Sequence, residues 1–132
     1  MDLKDLAPKS DEIVVDIKHP ISKEPLMNDD GTPMVITIYA QHSKEYKKVQ
    51  RELINIRLKA AQTSGSTDID YEQLEEAALE LMAKTTKSWN ITYEGKKPKL
   101  TEAKARHIYD EVFWIKNQIE EAAANSLDFM KA

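Results

Sequence analysis

Three observations on this 132-residue chain predict an α+β fold. Two short β-branched runs, 13–17 and 34–39, favour extended backbone. The stretches 43–63 and 70–82 instead repeat apolar residues every three or four positions, the helical period. The same period runs from Thr101 to Met130 with no Gly or Pro to interrupt it. The expected architecture is an N-terminal β-hairpin or small sheet followed by three to four α-helices, with a short extended arm near Trp89. Residues 12–132 read as a single domain behind a flexible N-terminus, 1–11.

Ile13-Val14-Val15-Asp16-Ile17 is the first strand. Pro20 and Pro25 punctuate the next stretch, and Asn28-Asp29-Asp30-Gly31 is a turn, because these residue types tolerate positive φ. Met34 to Tyr39 is the second strand, with Met34, Ile36 and Ile38 on one face and Val35, Thr37 and Tyr39 on the other. The two strands should pair antiparallel.

Ser43 can cap the first helix by accepting a free backbone N–H of its first turn. Tyr46, Val49, Leu53, Ile56 and Ala60 form its apolar stripe, and Ser64-Gly65-Ser66-Thr67 ends it. Asp70 caps the second helix, with Gln73 three residues on and Ile69 before it to pack on Leu74. Tyr71, Leu74, Ala78, Leu81 and Met82 are its expected buried stripe. Trp89, Ile91 and Tyr93 alternate with Asn90 and Thr92 as a short strand or arm, which Glu94-Gly95 turns. Thr101 caps a third helix carrying Ala105, Ile108, Tyr109 and Val112, and the pattern continues through Ile115, Ile119, Ala122 and Ala123 to Phe129. One long helix and two helices bending near Glu111–Trp114 both fit.

Composition narrows the function classes. The formal net charge is -4, which argues against a nucleic-acid binder with its usual basic face. The chain has no cysteine, which removes disulfides, zinc–thiolate sites and cysteine nucleophiles. Met1 to Ser10 lacks the apolar core of a signal peptide, and no apolar run reaches the roughly 20 residues of a membrane span. A soluble intracellular protein is expected.

Catalytic and metal chemistry find little support. His19, His42 and His107 lie far apart, in none of the spacings that put zinc ligands on one helix face. His19 reads as a turn residue and His107 as a helix-surface residue. The acidic turns lack the alternating oxygen ligands and closing Glu of an EF-hand. Glu75-Glu76, Asp110-Glu111 and Glu120-Glu121 are adjacent acids on helices, which diverge by about 100° rather than flanking a cleft. Neither a cofactor, a metal nor an enzymatic activity is expected. Two basic patches, Lys44-Lys47-Lys48-Arg51 and Lys96-Lys97-Lys99 with Lys104 and Arg106, read first as solvated surface and next as a site for an acidic partner.

The aromatics carry more. Trp89, Tyr93, Phe113, Trp114 and Phe129 gather in the last third of the chain, and Trp and Tyr are enriched at binding hot spots. Phe113 and Phe129 are expected to fill the core, and Trp114 suits core or surface equally. Phe113 and Trp114 are adjacent and point apart, so one of them is peripheral and available to a partner. The candidate partner-binding set is Trp89, Tyr93, Phe113, Trp114, Gln118 and Phe129.

Two segments resemble the tail assembly chaperones of long-tailed bacteriophages. The first runs from Ile36-Thr37-Ile38-Tyr39 through Ser43-Lys44-Glu45-Tyr46 to Arg51. It is similar to the family's strand, small polar junction with a Ser, and basic helix with an aromatic. The second runs from Trp89 through Gly95, Thr101-Glu102, Ala105 and Tyr109 to Phe113-Trp114-Ile115, Gln118 and Phe129. It is similar to a tryptophan-led arm, a Gly turn, a capped helix, an aromatic pair before a Gln, and a terminal Phe. The chain departs from the pattern at Phe113, where Pro would be expected. The resemblance implies a non-enzymatic assembly factor that binds the tape measure protein, keeps it soluble and helps tail tube protein polymerise around it. It would act in the host cytoplasm and be absent from the mature virion. Self-association is a further implied option, with no nucleic acid and no membrane as partner. Two other readings stay open: a structural tail or head–tail connector component, and a small nucleic-acid-binding or regulatory module using the lysine patches.

Overall fold

The computed structural model describes residues 2–6, 11–64 and 71–124. Its elements are a 3-10 turn at Leu3–Leu6, β1 (Glu12–Asp16), β2 (Val35–Tyr39), α1 (Lys44–Ser64), α2 (Tyr71–Lys84), β3 (Thr86–Asn90), α3 (Glu102–Glu111) and α4 (Phe113–Ala124). The fold is α+β, a three-stranded antiparallel sheet in the order β1-β2-β3 with four helices.

The expected pairing of the first two strands is present, with Ile13 opposite Ile38 and Val15 opposite Ile36. The arm near Trp89 is the third strand. It places Trp89 opposite Ile36 and Ser88 opposite Thr37, then shifts register so that Thr86 meets Ile38. Lys87 falls in that irregularity, exposed, and its ammonium group pairs with Glu12 of β1 across the open face.

Alternation decides which face is covered. Ile13, Val15, Ile17, Ile36 and Ile38 are buried against Ala83 of α2, Ala105, Ile108 and Tyr109 of α3, and Ile115 and Ile119 of α4. Val14, on the opposite face, is exposed. Tyr109 is fully buried, with its hydroxyl 2.7 Å from Thr86 Oγ1 and its ring edge-on to Trp89 at 6.4 Å. Burial pushes its phenol up to about 12.

The turns and caps follow local chemistry. Ser43 Oγ accepts from Tyr46 N–H at 3.1 Å and donates to the Ala40 carbonyl at 2.6 Å. Thr101 Oγ1 accepts from Lys104 N–H at 3.1 Å. Asn28 and Gly31 close the acidic turn, with Gly31 at φ 85°. The buried Asn28 side chain ties that turn to the end of β3, donating to the Asn90 carbonyl and accepting from the Thr92 hydroxyl at 2.6 Å. Glu94 and Gly95 both take positive φ, and Tyr93 and Lys96 exchange backbone hydrogen bonds across them, the pattern of a two-residue type I′ turn. The expected cap Asp70 and the residues Ile69 and Phe129 lie outside the described residues.

The last helical run is two helices. α3 ends at Val112, at φ -100° and ψ 69°, whose N–H still reaches the Ile108 carbonyl. The break occurs with neither Pro nor Gly. It turns the chain so that Ile108, Tyr109, Ile115 and Ile119 all meet the sheet.

Three expectations need correction. Ile56 and Ala60 were expected in a buried stripe on α1 and are exposed. Tyr71 and Leu74 were expected in the buried stripe of α2 and are exposed as well. Phe113 was expected in the core and is 68% exposed. For the first two pairs the cause is shared. Tyr46, Val49 and Leu53 are half-buried, as are Ala78, Leu81 and Met82. The C-terminal part of α1 and the N-terminal part of α2 therefore extend beyond what the body covers.

Candidate partner-binding surface

The sequence-selected aromatics divide into anchored and free. Trp89 is half-buried, and its indole N–H donates to the Pro98 carbonyl at 2.9 Å, pinning the segment after the Gly95 turn. Trp114 is half-buried and packs against the core. Phe113, its neighbour, projects to solvent beside the α3–α4 break.

Gln118 acts on the backbone. Its side-chain amide donates to the Lys18 carbonyl at 2.7 Å and accepts from the Lys18 N–H at 3.0 Å. β1 is an edge strand, and Asp11 and Ile17 turn their backbone groups toward the β2 side. Lys18 has the opposite parity and points outward. Gln118 thus meets that edge as a neighbouring peptide would and fastens α4 to the segment just after β1.

Tyr93 lies in a polar cluster with side chains of α3. Its hydroxyl donates to Glu111, whose side chain also lies 3.0 Å from His107 Nε2. Lys104 sits over the ring at 4.9 Å. The hydrogen bond to Glu111, with a smaller contribution from burial, pushes the phenol up to about 12. That direction keeps it protonated and a donor at neutral pH. Among the described residues, no group of three or more His, Asp and Glu side chains is placed to hold a metal ion, and no helix is long and apolar enough to cross a membrane. The basic patches are on the surface: Lys44, Lys47, Lys48 and Arg51 are exposed on α1, and Lys97 pairs with Asp30.

A second surface escaped the sequence reading. Ile54, Ile56 and Leu58 of α1 and Tyr71 and Leu74 of α2 are between 47% and 75% exposed. Ile54 and Leu58 are four residues apart and share a flank, as do Tyr71 and Leu74 at three. A groove of about 370 Å³ separates the helices; Leu53, Ile56 and Ala60 line it together with the charged side chains Arg57, Glu76 and Glu80. A smaller apolar cavity of about 170 Å³ lies where Leu81 and Met82 meet Tyr46, Ile38 and Ile119. The α2 stripe thus runs from the body out to the exposed tip. Single exposed apolar residues are ordinary; larger exposed apolar patches are what mark an interaction surface. The signal available in the sequence was Ile54 and Leu58, a second apolar pair off the main α1 stripe.

The charges on this pair are segregated. α1 carries six basic and two acidic residues, α2 four acidic and one basic. Arg51 and Arg57 flank Ile54 at three residues on either side, whereas Glu72 and Glu75 line a cleft against Arg106 and His107 of α3. Arg51, Arg57, Glu72 and Glu75 form no ion pair with any described residue.

Fold and surface together define a small α+β protein with a mainly basic α1 and a mainly acidic α2, each carrying exposed apolar side chains. Compared with protein-family models, curated proteins and solved structures, the chain matches none.

Proposed function

We propose that this protein is a non-enzymatic assembly factor of the tail assembly chaperone kind, binding the helical tape measure protein through its α1–α2 face. In this reading it keeps that protein soluble in the host cytoplasm, promotes tail tube assembly and leaves before the virion is complete. The supporting observation is the exposed set Ile54, Ile56, Leu58, Tyr71 and Leu74 on two packed helices. An amphipathic helix laid into such a face buries apolar area on both partners, worth about 25 cal/mol per Å². Repeated copies along one long partner would gain from effective concentration. Co-expression of the chain with a tape measure protein tests the reading. A rise in the soluble fraction, with co-purification, is the expected result. Unchanged precipitation of the partner and no co-purification would overturn it.

A further inference from the structure

We infer that the outward face of α1 takes an acidic amphipathic helix, with carboxylates against its cations and apolar side chains against Ile54 and Leu58. This rests on the reading of α1 as a recognition surface and specifies the chemistry of what it takes. Lys44, Lys48, Arg51, Asn55 and Lys59 follow one another at steps of three or four residues, and so do Lys47, Arg51, Ile54 and Leu58. At about 100° per residue the two rows share roughly 140° of the helix surface, away from the half-buried Val49 and Leu53. Every residue in the two rows is exposed, and Glu45 and Glu52, the acids of α1, belong to neither. None of the five cations forms an ion pair with a described residue. With six basic and two acidic residues, α1 carries +4 in a chain of net charge -4, which leaves -8 for the rest.

Spacing, apolar content and charge together select the occupant. The cations are spread over roughly 22 Å, about four helical turns. Acids at the same three- and four-residue steps on a second helix also share one face, so they meet the cations in register. Ile54 and Leu58 lie in the row with Lys47 and Arg51. A helix with apolar residues beside its acids covers them, whereas a sugar–phosphate backbone leaves them bare. The negative charge of the rest of the chain repels a polyanion that extends past α1, such as a duplex or an anionic bilayer, within a Debye length of about 8 Å. A short acidic helix stays on the stripe.

Fluorescence anisotropy on the purified full chain tests this with a labelled synthetic peptide of about four helical turns, bearing glutamates and leucines on one face. The control is the same peptide with lysine in place of glutamate. The client protein takes no part, so this measurement and the co-expression experiment can fail separately. The acidic peptide should bind at least about tenfold tighter than the lysine peptide and should weaken as salt rises. Lys48→Glu/Arg51→Glu should raise its Kd at least about tenfold, and Ile54→Ser/Leu58→Ser at least about threefold. Lys96→Glu/Lys99→Glu makes the same change in net charge at exposed positions of the other basic patch, and it should bind as wild type does. No preference for the acidic peptide overturns the inference, as do equal losses in the two charge reversals or an indifferent Ile54→Ser/Leu58→Ser. So does tighter binding of a single-stranded oligonucleotide or of phosphatidylglycerol vesicles, which would assign the face to nucleic acid or lipid.

Discussion

Trp114 and Phe113 are adjacent, yet the α3–α4 break gives them different roles. Trp114 packs against the core and Phe113 is exposed. Trp114→Ala is expected to cost about 2–4 kcal/mol, in the range of large-to-small substitutions at packed sites. Phe113→Ala should stay within roughly 0.5 kcal/mol of wild type, as exposed substitutions do. Urea melts of both variants check the pair, and comparable destabilisation would contradict the assigned environments. Gln118 is a second case. Its amide satisfies both backbone groups of Lys18, 100 residues away. Gln118→Leu keeps the bulk and removes both bonds, with an expected loss of about 1–2 kcal/mol in the same measurement. An unchanged midpoint would mean that water replaces the amide without cost.

Among the elements, those with local signals were legible in the sequence. β1 and β2 were readable because β-branched residues alternate over a half-covered sheet. The starts of α1 and α3 were readable because Ser43 and Thr101 cap them through their own hydroxyls. β3 was partly hidden. Its first residues, Thr86-Lys87-Ser88, lack apolar alternation, and Lys87 falls in the register irregularity. The α3–α4 break was ambiguous because Val112 adopts it without Pro or Gly. The Gln118–Lys18 contact has no local signature at all. The largest miss was on α1 and α2, for a physical reason. Periodicity reveals that a helix has an apolar face but carries no information on what covers it. Tyr71 and Leu74 continue the stripe of Ala78 and Leu81, yet they lie beyond the body. At this scale, Ser43→Ala should lower stability by about 1–2 kcal/mol, since the hydroxyl both caps α1 and bonds the Ala40 carbonyl. Thermal melts check this. A loss near zero would show that the cap does not set the start of the helix.

For the molecule as a whole, two titrations make stability depend on pH. Burial raises the Tyr109 phenol from 10.0 to about 12, so its neutral form is favoured in the folded state. The associated stability is fully present below pH 10 and is lost as pH rises toward about 12, to an extent of roughly 3 kcal/mol. Tyr109→Phe removes the titrating group, so its stability should fall less steeply than wild type over that interval. An identical alkaline profile would contradict the assignment. On the acid side, Lys97, then the Thr32 hydroxyl and N–H, hold the Asp30 carboxyl well below the usual carboxylate range. Its contribution is present above the ordinary value of 3.8 and is lost as pH falls below it. Because the group is exposed, the effect should be small and screened by salt.

At the same scale, recognition is proposed for the exposed apolar side chains of α1 and α2, while Trp89, Trp114 and Gln118 are held within the fold. Affinity for a co-purified tape measure protein, compared across two folded variants, tests that division most directly. Ile54→Glu/Leu58→Glu places two charges in the proposed face, and Phe113→Glu places one on the exposed aromatic outside it. The first variant should lose binding at least about 100-fold, close to 3 kcal/mol, and the second should bind as wild type does. Binding that survives in the first variant and disappears in the second would contradict this division and move the interface to the α3–α4 break.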